Sequence, residues 1–241
     1  MTAITLGHLR DALHAGCASA VARVLDAYEV EVDFVDADAD ELPGMLDNGE
    51  IDLLVSAWLP RDAGFVQHGM RLIGLLYRPV YVWASTKPLG PIDTLTSEQV
   101  GRFITVSQDA PRLKAALATL PNLAGTPVET CDEEVLYERV SAAAEAGEAL
   151  VAMIAQPHAL FHTDMLHVLE DAQERLGGEM EARMMVRETV AACADSDMLD
   201  ELSEMTLGNK VMSALDYTIQ VEGVDPEDAA EAWQRGRLVP R

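Results

Sequence analysis

Cysteine is scarce in this 241-residue sequence: Cys17, Cys131 and Cys193 are odd in number, lie far apart and form no C-x-x-C pair. Neither a disulfide framework nor a thiolate zinc site is indicated by so few, so widely spaced, thiols. Free thiols suit a cytosol, although one or two buried cysteines are also compatible with a periplasm. Basic residues are scarce as well. Lys and Arg number 17 against 41 Asp and Glu, giving a formal net charge of −24 and a pI near 4.4. Such a field repels phosphate backbones and anionic headgroups, so nucleic acid and acidic membrane surfaces are poor partners. It reads first as an adaptation to solubility or high salt, and second as a field that concentrates cationic solutes. No apolar run approaches the ~18 residues of a membrane span.

Catalytic signatures are also missing. There is no G-x-S-x-G, no P-loop, no G-x-G-x-x-G and no H-E-x-x-H, so nothing supports a hydrolase, a nucleotide enzyme or a zincin, and the expectation is a non-enzyme without a cofactor. His158 and His162 stand four apart, but Pro157 interrupts helical continuity, and the pair is read as structural rather than metal-binding. Asp36, Asp38 and Asp40 are read as a solvated acidic face. Residues 1–20 lack the basic stretch and apolar core of a signal peptide. Residues 236–241 end in Leu238-Val239-Pro240-Arg241, the recognition half of a thrombin site, which reads as an expression scar. A leader removed in the same way is therefore expected, and the location expected is periplasmic or otherwise extracytoplasmic, with the cytoplasm left open.

What is present is an alternation of strands and helices. Ala3–Gly7 reads as a strand, Asp11–Tyr28 as an amphipathic helix, and Glu29–Val35 as an alternating strand with Val30, Val32 and Phe34 on one face. Asp38–Asp47 reads as a short helix closed by Asn48-Gly49, and Ile51–Ala57 as a strand buried on both faces. After an extended stretch, Tyr77–Ser85, and a breaker at Lys87–Pro91, a second set comes next: strand 103–106, helix 111–120, helix 132–145 and strand 150–154. Glu181–Arg187 is extended, and helices are expected at 195–204, 207–219 and 226–234, the last opened by Asp225-Pro226. This pattern predicts an α/β chain of two lobes joined by two crossovers, lobe 1 being 1–82 with 185–235 and lobe 2 being 83–184. A ligand cleft with a hinge is expected of such lobes.

Three segments carry a family resemblance. Gly49-Glu50-Ile51-Asp52 leading to Ala57-Trp58-Leu59-Pro60 resembles the G-x-x-D…A-W-L-P segment of glycine betaine, proline betaine and choline substrate-binding proteins of ABC importers. Gly223-Val224-Asp225-Pro226-Glu227 with Ala229-Ala230 and Trp233 is similar to their closing helix. Pro157-His158 followed by Leu169-Glu170-Asp171 is similar to their W-x-P-H-W…L-E-D region. The resemblance implies a bilobed periplasmic-binding-protein fold of type II kind, which delivers a small quaternary-ammonium or betaine-like solute to a permease and ATPase. It also implies an aromatic cage, because a trimethylammonium donates no hydrogen bond and ring quadrupoles are its main attractive partners.

Trp58 is the cage residue that the A-W-L-P motif carries over, and a packed core tryptophan is the alternative. The sequence departs from the family where Ala155 and Ala159 stand in place of tryptophans. Tyr77, Tyr81 and Trp83 alternate along one extended stretch and are expected to share a face, either rebuilding the cage or packing. By resemblance His158 reaches a ligand carboxylate, or else serves as a cap. Gln108 and Asp109 precede a helix near Pro111, so the loop offers backbone N–H groups to an anion or simply caps the helix. At the end of the first strand, His8 or Arg10 is a candidate for an anionic tail and Asp11 for a cation or hydroxyl. A monomer is expected. The competing reading is a cytosolic ligand-sensing module of the same fold with a non-betaine ligand.

Overall fold

A computed structural model describes residues 3–239, so Pro240 and Arg241 of the thrombin-like tail lie outside the described residues. The chain divides into two compact units, one formed by Met1–Pro79 with Met180–Arg241 and the other by Val80–Glu179. These boundaries fall a few residues before those drawn from the sequence.

The first unit opens with β1 (Ile4–Leu9), α1 (Ala12–Ala27), β2 (Val32–Ala37), α2 (Leu42–Asn48), β3 (Leu53–Leu59) and β4 (Met70–Tyr77). The chain then forms the whole second unit: β5 (Val80–Ser85), β6 (Arg102–Val106), α3 (Ala110–Leu117), β7 (Val128–Cys131), α4 (Glu133–Glu145), β8 (Leu150–Gln156) and β9 (His167–Val168). It returns to the first unit with β10 (Glu181–Arg187), α5 (Glu188–Ala191), α6 (Ser196–Glu204), α7 (Asn209–Gln220) and α8 (Pro226–Gln234).

Local signals explain most of these limits. Asp11 caps α1, its carboxylate accepting the His14 backbone N–H at 2.8 Å, which satisfies one of the helix's orphan donors. Gly49 ends α2 at φ 74°, the left-handed conformation that glycine adopts without a Cβ penalty. Asp225 caps α8 with Pro226 in its first turn, as the sequence predicts.

Each unit holds a five-stranded mixed sheet, ordered β2-β1-β3-β10-β4 in the first and β7-β6-β8-β5-β9 in the second. Parallel pairs β1–β2 and β1–β3 are matched by β6–β7 and β6–β8, and in each sheet an antiparallel strand comes next: β10 beside β3, β5 beside β8. The near-continuous apolar run of β3 is buried, because the strand lies inside its sheet. β2 is an edge strand, and there the expected alternation fails: Phe34 is exposed. Beneath the second sheet, Ile104, Val140, Leu150, Ala152 and Leu160 form one core. Leu42, Leu46, Ile51, Leu54 and Met185 form another in the first unit.

One expectation is overturned. Residues 77–85 are not a single stretch with one aromatic face. Arg78-Pro79 separates β4, which ends at Tyr77 in the first sheet, from β5, which carries Tyr81 and Trp83 in the second. A proline offers no ladder N–H, so the run breaks there. The sequence reading also overlooked most of β4, as well as β7 and β9.

Candidate functional site

In open α/β sheets ligands gather at the carboxyl ends of the parallel strands, and the first unit concentrates its polar chemistry there. β1 ends at Leu9 and β3 at Leu59, while α1 begins beside them at Ala12. Trp58 and Tyr77 both pair with Ala182 of β10, from opposite sides, so the ladder places the two aromatics as near neighbours. Their rings meet edge to face at 6.4 Å.

Trp58 is 5 % exposed and held from several directions. Its indole N–H donates to Tyr77 Oη at 3.0 Å and more weakly to Ser56 Oγ at 3.3 Å. Ser56, whose φ is +63°, is also hydrogen-bonded to Tyr77 Oη. The Trp58 backbone N–H donates to Asp62 at 2.7 Å, closing the turn after β3. Arg61 lies with its guanidinium carbon 4.6 Å from the Trp58 ring centroid and is clamped by Asp62 through two 2.8 Å bonds. One cation thus already rests on this ring, the arrangement that a ring quadrupole favours. Burial, chiefly, holds the Tyr77 phenol well above its ordinary value, so it stays protonated.

The other side of this cluster comes from α1. His14, 4 % exposed, lies 5.9 Å from the Trp58 ring at a tilt of 31°. Its Nδ1 donates to the Asp11 carboxylate at 2.7 Å. Burial pushes the Asp11 carboxyl up, but the charge and hydrogen bonds of His14, with His8 adding to them, outweigh it and leave it below its ordinary value. His14 Nε2 is buried and has no hydrogen-bond partner. Cys17 sits in the same interior, where burial and then Asp11 raise its thiol. His8 is buried, donating from Nδ1 to the Leu9 carbonyl at 2.7 Å. Arg10 instead turns outward, meeting Asp36, Asp38 and Glu41 in an exposed ion-pair cluster.

The second unit repeats the geometry with different residues. Tyr81 pairs with Ala155 across β5 and β8, beside the end of β6. Its hydroxyl donates to Asp109 at 2.9 Å, and the Arg112 guanidinium carbon lies 4.2 Å from its ring centroid. Gln108 is exposed within the turn Ser107–Asp109 that leads into α3, and Asp109 makes no capping bond to that helix. Trp83 points the same way along β5 but is 1 % exposed, packed against Phe103 with ring centroids 5.7 Å apart, and donates its indole N–H to Asp171 at 3.1 Å. His158 uses both ring nitrogens inside the unit: Nδ1 accepts the Leu160 N–H and Nε2 donates to Glu133, each at 3.1 Å. Ala155 is partly exposed and Ala159 fully buried. Among the described residues no group of three or more His, Cys, Asp or Glu could hold a metal.

The structure therefore brings Trp58 and Tyr77 together in the first unit, with Asp11 joined to them through His14 and His8 acting on Asp11, and Tyr81 and Asp109 together in the second. Sequence reasoning missed Ser56, Arg61 and His14. The D-x-x-H spacing at the start of a helix was the available signal for His14, since a capping Asp meets the side chain three residues on.

Two mixed sheets of matched topology, each with aromatic and polar groups at the carboxyl ends of its parallel strands, define the class: a two-unit α/β binding protein of the periplasmic type. Comparison with family models places residues 3–235 in the substrate-binding domain of ABC-type glycine betaine transport systems. The chain belongs to that family. It is the solute-binding component of an ABC import system.

Among solved structures, the lactococcal OpuAC complexed with glycine betaine superposes with a TM-score of 0.79 at 19 % identity, covering 98 % of this chain and 96 % of that one. ProX from Borrelia burgdorferi, a glycine betaine and L-proline-binding protein, gives 0.74 at 15 % identity, with 96 % and 92 % covered. A choline-binding protein in complex with choline gives 0.72 at 16 % identity, with 96 % and 88 % covered. Comparison with curated protein sequences finds no significant match.

Proposed function

We propose that the solute is a small quaternary-ammonium compound, and that Trp58 is the aromatic wall that holds its methylated cation. The observation that carries this reading is the Arg61 guanidinium 4.6 Å from the Trp58 ring centroid: the ring already attracts a cation where it lies. The solute's ammonium is proposed to take the place of the partly exposed Arg61 guanidinium on a ring fixed by its bond to Tyr77. An ammonium taking that place gains about 0.5–2 kcal/mol from the ring. Asp11 and Asp62 add negative charge nearby. In the second unit, Trp83 and His158 support the interior.

The family's role also frames the rest of the proposal: an extracytoplasmic monomer without catalytic activity, working with a permease and an ATPase. No helix among the described residues is long and apolar enough to cross a membrane. Calorimetric titration against glycine betaine, choline, carnitine, proline betaine and L-histidine tests the ligand class. Saturable binding of at least one quaternary compound, with no heat from histidine, is the expected result. Binding of histidine alone contradicts it.

A further inference from the structure

We infer that Arg61 is an affinity-determining residue, a resident cation that a quaternary-ammonium solute displaces from the Trp58 ring, so that removing Arg61 tightens binding. This rests on the proposed placement of the ammonium at Trp58. The chain itself builds the contact. Trp58 and Asp62 close the turn after β3 with two bonds: the Trp58 carbonyl accepts the Asp62 N–H at 2.8 Å, and the Asp62 carboxylate accepts the Trp58 N–H at 2.7 Å. Arg61 lies inside that turn. Its guanidinium meets the Asp62 carboxylate through Nε and Nη2, each at 2.8 Å, the bidentate fork that matches a planar guanidinium to a carboxylate. The guanidinium carbon then stands 4.6 Å from the ring centroid. Turn, ion pair and ring contact all belong to the segment 58–62.

One place on a ring face receives one cation, so the solute's gain there is the difference between two ring contacts rather than the whole of one. Arginine makes that competition lasting, because its guanidinium is charged at every working pH and stacks on aromatic faces. Like charge adds to the effect, since two cations crowded at one ring repel each other. The Arg61 side chain is 38 % exposed and that of Asp62 13 %, so the guanidinium is the more solvent-facing member of the pair. The Asp62 carboxylate, bonded to the Trp58 backbone, serves whichever cation occupies the ring.

The test titrates tetramethylammonium and choline, which carry no anionic group for an arginine to attract, into the parent, Arg61→Ala and Arg61→Gln. Both variants are expected to bind both probes about fivefold more tightly than the parent, the worth of one ring–cation contact of middling strength, and no less than about twofold. A merely structural role gives the opposite sign, because a loosened turn weakens binding. Arg23→Ala controls for the long-range field: it removes an equal charge from α1, where Arg23 meets Gln234 and Asp26, and should stay within about twofold of the parent. Unchanged or weaker binding in either folded Arg61 variant overturns the inference, and so does an equal gain in Arg23→Ala. If Arg61→Ala fails to fold, Arg61→Gln, which keeps a polar group for Asp62, decides alone. Failure of the parent and both Arg61 variants to bind either probe overturns the quaternary-ammonium reading itself and the inference with it. Binding by the parent with no gain in the variants overturns the inference only.

Discussion

Trp58→Ala is expected to weaken binding of a quaternary-ammonium solute by about thirtyfold or more, because one desolvated ring–cation contact is worth on the order of 2 kcal/mol. The side chain is also structural. It is 5 % exposed and bonded to Tyr77, so the same substitution is expected to destabilise the unit by about 3–5 kcal/mol. Trp58→Phe separates the two effects, since it keeps an aromatic face while losing the indole N–H. The phenylalanine variant should retain more affinity than the alanine variant at a stability between it and the parent. Titration of folded variants, with melting curves beside them, checks both. Parent-like affinity in a folded Trp58→Ala protein would place Trp58 in the core alone.

The second large effect lies in the other unit. Asp171 is a hub: it accepts from the Trp83 indole at 3.1 Å and from the Arg175 backbone at 2.9 Å, and it pairs with the Arg175 guanidinium, which also meets Asp93. The Arg175 side chain is 7 % exposed and that of Asp171 11 %. Asp171→Ala leaves an interior arginine with one partner fewer and the Trp83 N–H with none. A loss of about 3 kcal/mol in the second unit is expected, the low end for breaking a buried pair. Asp171→Asn keeps an acceptor for Trp83 and should lose less.

Burial pushes the Asp171 carboxyl up, but the bonds from Trp83, Arg175 and Gln173 and the Arg175 charge together hold it below its ordinary value. A carboxyl depressed in the folded state contributes stability that is complete above the unfolded value, about 4, and lost as pH falls through the folded value. Denaturation curves of the parent should therefore weaken below about pH 4, and those of Asp171→Ala should weaken less steeply. Equal acid sensitivity in the two proteins would remove Asp171 from the account.

How much of this was legible in the sequence depended on whether the signal was local. Gly49 as a stop, Asp225-Pro226 as a start and the buried run of β3 are all set by neighbours in sequence, and each stands as read. Trp58 was marked by its A-W-L-P context. Alternation misled where the chain changed sheets: Tyr77, Tyr81 and Trp83 keep the spacing of one strand face, yet Pro79 divides them between units. Phe34 fits the core face by pattern, but the edge position of β2 exposes it. Ser56, Arg61 and His14 act through contacts made only when β3, β4 and α1 meet. Their spacing alone does not announce those contacts, except for the three-residue step from Asp11 to His14.

The central claim is that a cation is held on the Trp58 ring by charge as well as by shape. The most direct measurement compares the parent's affinity for choline with that for its uncharged isostere, in which a tert-butyl group replaces the trimethylammonium. The two have nearly the same size and the same hydroxyl, so only the charge on the ring face differs. The account predicts that choline binds at least about tenfold more tightly, as ring–cation attraction and the nearby carboxylates require. Equal affinity, or tighter binding of the uncharged isostere, would show an ordinary apolar pocket and contradict it.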